Sequence, residues 1–174
     1  QSLIPDSVDG FGTYDLDAFL WGDWHGDQAV GDWSLSRPQT LGVVKKLHRK
    51  QFLSIEEFRY LRDRTDRIPK ITLPSPSLFA NFWSPHISSE AYPTLDDFLS
   101  DVAGILREEI SELAKSGATY IQLDAPHYML MLDPKWADFY AERGWTASSW
   151  LGQGVNLDNE VIKGFSSITF ALHL

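Results

Sequence analysis

Two residues with chemistry to offer close two short apolar segments of this chain. Tyr120-Ile-Gln-Leu-Asp124 ends on a carboxylate, and Ser166-Ser-Ile-Thr-Phe-Ala-Leu-His-Leu174 carries an imidazole next to its last residue. A histidine at a strand end can ligate a metal; the competing reading of His173 is a hydrogen-bonded histidine at the mouth of a sheet. Asp124 could hold a substrate ammonium group or orient a histidine, or it could fix the turn at Asp124-Ala-Pro126. His127 and Tyr128, just beyond, either line a pocket or pack a loop. Ser75 and Ser77 flank Pro76 and could donate hydrogen bonds to a polar ligand, or serve the turn alone. Asp23, His25 and Asp27 lie close together, but their spacing has no specific metal signature, and a loop role is the simpler expectation.

For these residues to meet, the elements that carry them must run side by side. Lys70-Ile-Thr-Leu-Pro-Ser-Pro76 reads as a strand halted by its prolines, which lack the ladder donor. Thr94 opens the clearest helix, with Leu95, Phe98, Leu99, Val102, Ile105, Leu106, Ile110 and Leu113 at spacings of three and four. Asp96, Asp97 and Asp101 sit at its positive end and Lys115 at the other; Gly117 stops it. The segment ending at Asp124 follows as a strand. Strand, loop, long helix, strand is the order of parallel α/β packing.

The remaining elements are shorter. Leu41 to Leu47 reads as a strand. Ser54-Ile-Glu-Glu57 has the form of a capping box, predicting a helix to about Arg64 that buries Ile55, Phe58 and Leu61. Pro134 to Arg143 and Asp158 to Lys163 suit short helices. Residues 1–38 are rich in glycine and aspartate, with Trp21, Trp24 and Trp33 beside Gly22, Gly26 and Gly31. No period persists there, so a loop excursion anchored by aromatic burial is expected. The tryptophans could stack on a flat ligand, though anchoring is the safer reading. Glu56-Glu57 and Glu108-Glu109 read as solvated helix residues.

Side chains alternate faces along a strand. Ile71 with Leu73, Ile121 with Leu123, and Ile168 with Phe170 and Leu172 form bulky faces suited to outer helices. Thr72, Gln122, Asp124, Thr169, Ala171 and His173 fall on the other side. An open doubly wound sheet more often buries both faces; small or polar inner positions favour a closed (β/α) barrel, in which chemistry sits at the carboxyl ends of strands. A barrel takes eight strands and about 250 residues. The fold expected is therefore α/β, a partial (β/α)8 TIM barrel, with residues 1–174 an internal fragment of one barrel domain. The remainder would come from further chain, a cleaved fragment or a swapped copy.

The formal charge is -9, from 24 acidic against 15 basic residues. That disfavours nucleic-acid and anionic-membrane partners. No apolar run approaches the roughly 18 residues of a membrane span. Cysteine is absent, which removes disulfides and cysteine-rich metal sites from these residues. No glycine-rich phosphate loop, nucleophile elbow or zinc-protease helix occurs. No carboxylate pair can be placed across a cleft.

Four segments carry a family likeness. Lys70-Ile-Thr-Leu-Pro-Ser-Pro-Ser77, Tyr92-Pro-Thr-Leu-Asp-Asp-Phe98, Tyr120-Ile-Gln-Leu-Asp-Ala-Pro126 and Phe170-Ala-Leu-His-Leu174 resemble, in this order, motifs of the cobalamin-independent methionine synthase family. The likeness is to short single-domain relatives of its catalytic half and covers roughly residues 65–174. It implies a (β/α)8 barrel in which these strands are the third to fifth. It further implies zinc-dependent methyl transfer from a folate to a thiol, with His173 a zinc ligand and the other ligands outside this chain. Asp124 would position the acceptor, with Ser75, Ser77, His127 and Tyr128 near the substrates. Ala125 departs from the pattern, standing where an acid usually follows the aspartate; an acceptor other than homocysteine is then open. The implied partners are a small-molecule thiol and a methyl donor, and the expected location is cytoplasmic. Competing readings are a zinc-free barrel of the uroporphyrinogen decarboxylase type and a non-catalytic binding or structural fragment.

Overall fold

The computed structural model describes residues 6–15, 39–141 and 145–174. Trp21, Trp24, Trp33, Asp23, His25, Asp27 and the end of the helix expected at Arg143 lie outside the described residues. Two sheets share one apolar core. Strands β1 (Val8–Asp15) and β2 (Gln39–Arg49) pair antiparallel. The register slips between Asp9 and Phe11, where Gly10 takes a φ of 116°; a glycine lets the strand bulge in a conformation other residues resist. β1 corrects the expectation of a loop throughout residues 1–38. Its pairing partner lies more than twenty residues away, and its own glycine-rich sequence carries little strand signal.

Helix α1 (Ile55–Arg62) follows β2. It buries Ile55 and Phe58 as expected, but Leu61 is exposed. The Ser54 side chain makes no capping bond. Glu109, from another helix, holds the helix start instead: its carboxylate accepts the Leu53 and Ser54 N–H groups, each at 2.9 Å. Glu109 is 1% exposed, so its reading as a solvated acid is corrected. A buried carboxylate needs such donors, and the N–H groups of Leu53 and Ser54, just before the helix, supply them.

The three-stranded sheet is parallel, in the order β3 (Ile71–Pro74), β4 (Tyr120–Asp124), β5 (Thr169–His173). Between β3 and β4 lie a 3-10 helix, Pro76–Phe82, and the long helix α2 (Leu95–Lys115). Thr94 and Asp97 form a full reciprocal capping box. Gly117, at φ 94°, turns the chain back. Leu95, Phe98, Leu99, Val102, Leu106, Ile110 and Leu113 are buried, with Ile105 half-buried. Between β4 and β5 come a 3-10 helix, Pro126–Leu132, helix α3 (Pro134–Ala141), and a longer helical run. That run joins α4 (Ala147–Ser149) to α5 (Val155–Ile162) through a π turn, Trp150–Gly154.

The registers align the strands row by row. Ile71, Ile121 and Phe170 stand abreast, as do Pro74, Asp124 and His173. Ile71, Leu73, Ile121 and Leu123 are buried in the common core with α2, while Thr72 and His173 are exposed and Gln122 and Asp124 half-exposed. The expected split between an apolar and a polar face is therefore present in β3 and β4; in β5 it is not, since Phe170 is half-buried and Leu172, expected on the covered face, is exposed. The described residues form a mixed α/β fold and close no barrel. Among them no helix is long and apolar enough to cross a membrane.

Candidate functional site

The register brings Asp124 and His173 together at the carboxyl edge of the parallel sheet. His173 Nδ1 lies 3.1 Å from Asp124 Oδ1. A carboxylate oxygen accepts, so Nδ1 donates and Nε2 keeps a free lone pair. Gln122 Nε2 donates to the same Oδ1 at 2.6 Å, and Lys70 Nζ donates to Gln122 Oε1 at 2.9 Å. The polar face thus carries a continuous line from Lys70 to His173. Half of the His173 side chain is open to solvent (56%). An imidazole fixed by a carboxylate on one nitrogen and accessible at the other is the arrangement in which metal-binding histidines are held by a carboxylate that does not itself touch the metal. Those residues fit one ligand position. Among the described residues no three acidic or histidine side chains converge as a metal site.

A second cluster lies behind the strand ends. Ser75 directly follows β3, and Ser77 lies in the first turn of its 3-10 helix, with Pro76 preset for that turn. His127 and Tyr128 lie on the 3-10 helix after β4. Asp158, on α5, joins them. Its Oδ1 accepts from Ser75 Oγ at 2.7 Å and its Oδ2 from Tyr128 OH at 2.8 Å. Ser77 Oγ lies 2.8 Å from His127 Nε2 and 3.0 Å from Ser75 Oγ. Both serines are fully buried and His127 is 1% exposed. The His127 ring packs on Tyr128 (centroids 4.6 Å apart) and edge-on to Trp150 (5.3 Å).

Burial dominates the titration of this cluster. It pulls His127 down to about 4 and raises the Tyr128 hydroxyl, because each charged form would lose its solvation. Asp158 is also raised by burial, against the opposing pull of the Ser75 and Tyr128 hydroxyls. Ser77 and His127 have the spacing of a nucleophile and its base. They do not make a triad. Asp158 bonds the serine and tyrosine hydroxyls rather than the imidazole, and His127 Nδ1 has no hydrogen-bond partner among the described residues. A fully buried hydroxyl is also out of a substrate's reach.

Six of the residues singled out in the sequence are therefore placed, in two groups, while Asp23, His25 and Asp27 lie outside the described residues. Asp124 and His173 meet on the open face; Ser75, Ser77, His127 and Tyr128 meet inside. Asp158 was missed because it reads as the start of a short helix. The signal was the spacing of Trp150, Gly154, Asp158 and Val161, which form the buried stripe of the longer helical run. Gly154 is part of the site by its size: a Cβ there would stand 2.8 Å from Tyr128 OH and 3.3 Å from Ser77 Oγ. Ala125 is fully buried, and its N–H donates to the His173 carbonyl at 2.8 Å.

No family model matches the chain. Methionine synthase of Pyrococcus abyssi is 41% identical over 85 residues, covering 48% of this chain and 24% of that protein. That of Pyrococcus furiosus is 36% identical over the same length, and that of Saccharolobus solfataricus 30% over 96 residues, 54% of this chain and 27% of its own. The chain spans about a quarter of the length of these curated relatives. A B12-independent methionine synthase from Shewanella sp. W3-18-1, solved in complex with selenomethionine, superposes with a TM-score of 0.67 at 18% identity, over 98% of this chain and 41% of that one. At that identity the superposition speaks for the fold. The likeness to cobalamin-independent methionine synthases read from the four motifs stands on 30–41% identity to proteins named methionine synthase over about half of this chain.

Proposed function

We propose that this chain serves zinc-dependent methyl transfer to a thiol acceptor, as part of a (β/α)8 barrel in which β3, β4 and β5 are neighbouring staves. The observation that carries the reading is the Asp124–His173 pair at adjacent parallel strand ends, together with the relatives' name. His173 would hold zinc through Nε2, with the remaining ligands outside the described residues. Bound zinc would favour the thiolate form of the acceptor at neutral pH. Asp124 keeps the imidazole in the tautomer that exposes Nε2, and its remaining oxygen can accept from an acceptor's ammonium group. Gln122 and Lys70 hold that carboxylate from behind. Ala125 offers no second acid, so the acceptor class is a small thiol, not restricted to homocysteine. A 5-methyltetrahydrofolate-type donor would approach above β3 and β4.

The test is metal analysis of the intact gene product, with methyl transfer from 5-methyltetrahydrofolate assayed on a panel of thiols. Near-stoichiometric zinc, thiol methylation, and loss of both in His173→Ala are expected. Absence of zinc together with no methylated thiol would remove the proposal.

A further inference from the structure

Each strand end of the parallel sheet is tied to the next by one hydrogen bond beyond the strand itself. Ser75 N donates to the Asp124 carbonyl at 2.9 Å, and Ala125 N donates to the His173 carbonyl at 2.8 Å. Ser75 is held at both ends: its main chain grips Asp124, while its hydroxyl donates to Asp158 on α5. Asp158 grips the next segment as well, through Tyr128 on the 3-10 helix that begins two residues after Asp124. Ser77 and His127 tie the same two segments a second time.

We infer that Asp158 is a positioning residue, which through Ser75 and Tyr128 sets where the end of β4 presents Asp124 to His173. Apolar packing would join α5 to the sheet at lower desolvation cost than a buried carboxylate with two hydroxyl partners. What such a cluster adds is geometry, since each bond has a required direction. Gly154 belongs to the same device: without a Cβ, it lets the π turn approach Tyr128 and Ser77 closely. The inference rests on the proposed role of the Asp124–His173 pair, but its readout requires neither metal nor turnover.

The experiment is 15N NMR of histidine-labelled protein at one fixed pH, comparing wild type with Asp158→Asn, Ser75→Ala and the milder Tyr128→Phe. The shifts of the two ring nitrogens report which one carries the proton. In the wild type, His173 should hold its proton on Nδ1. In the variants it should become a mixture of tautomers, while His48 and His86 do not change. Melting temperatures are measured beside the spectra. An unchanged His173 signature in folded variants with lowered melting temperatures would overturn the inference, leaving the cluster a support of stability alone. Should Asp158→Asn fail to fold, Tyr128→Phe decides by the same criterion. Redistributed tautomers in a protein that holds no zinc and methylates no thiol would sink the functional proposal and leave this one standing.

Discussion

The buried cluster sets opposite expectations for two glycines in helices. Gly104 lies on the exposed side of α2, and a Cβ there would meet nothing within 4 Å. Gly104→Ala should therefore stabilise by about 1 kcal/mol, the ordinary gain in helix propensity. Gly154→Ala should destabilise by about 2 kcal/mol, because the new methyl is forced against Tyr128 OH at 2.8 Å. Urea unfolding measures both. Adding Tyr128→Phe should recover part of the Gly154→Ala loss by removing the crowded oxygen, a positive coupling that a double-mutant cycle detects. Two stabilising alanines would contradict the close approach of Gly154 to Tyr128. At this scale the sequence offered residue types more readily than roles. Asp124 and His173 were legible because each ends an alternating strand. The burial of Ser77 and His127 was not, because it depends on a helix from a distant part of the chain. Glu109 was misread for a related reason: its partners, the Leu53 and Ser54 N–H groups, lie more than fifty residues away.

Among the elements, the capping box expected at Ser54 is absent and one not read from the sequence stands at Thr94, and the difference is measurable. Thr94 Oγ1 accepts from Asp97 N at 3.2 Å, and Asp97 returns a bond to the Thr94 N–H. Thr94→Ala should cost about 1 kcal/mol. Ser54→Ala should cost less than half of that, since its hydroxyl makes no capping bond. Glu109→Ala should cost about 3 kcal/mol, because two N–H groups lose a charged acceptor in the interior. Glu109→Gln should fall between, retaining one acceptor oxygen and turning a donor toward the other N–H. Urea midpoints check the order; equal effects of Ser54→Ala and Thr94→Ala would contradict the cap assignment. The long helix α2 and strand β4 could be read from sequence nearly residue for residue, because each is periodic and bounded by its own turn chemistry. Strand β2 was legible at Leu41 to Leu47, but β1 and its hairpin with β2 were not, since their evidence is a pairing rather than a pattern. The helical run through the π turn was seen only at its end, because two glycines, Gly152 and Gly154, interrupt it in sequence.

For the molecule as a whole, the arrangement of parallel strands with one apolar and one polar face was legible because parity alone fixes which side chains share a face. How the helices return over that sheet was not, because it is settled by buried polar bonds such as those of Asp158. The burial of these groups makes the stability of the whole fold depend on pH. His127 has its ordinary value near 6.5 in the unfolded chain and is pulled down to about 4 when folded. Between these values the unfolded chain binds a proton that the folded one refuses. His127 therefore costs no stability above about pH 6.5, and stability is lost as pH falls from there toward 4, by up to about 3 kcal/mol. Asp158 acts in the other direction. Its value is raised on folding, so its contribution is present below the unfolded carboxylate range and is lost as pH rises through the raised value. His127→Gln keeps an amide at the Ser77 contact and removes the titration. The wild type should exceed this variant in stability most at pH 7.5, and its lead should shrink by about 2 kcal/mol by pH 4.5. Taking the difference cancels the changing repulsion of an acidic chain, which both proteins share. Urea unfolding at pH 4.5, 6 and 7.5 measures it, and a pH-independent difference would show that the imidazole is not held neutral inside the fold.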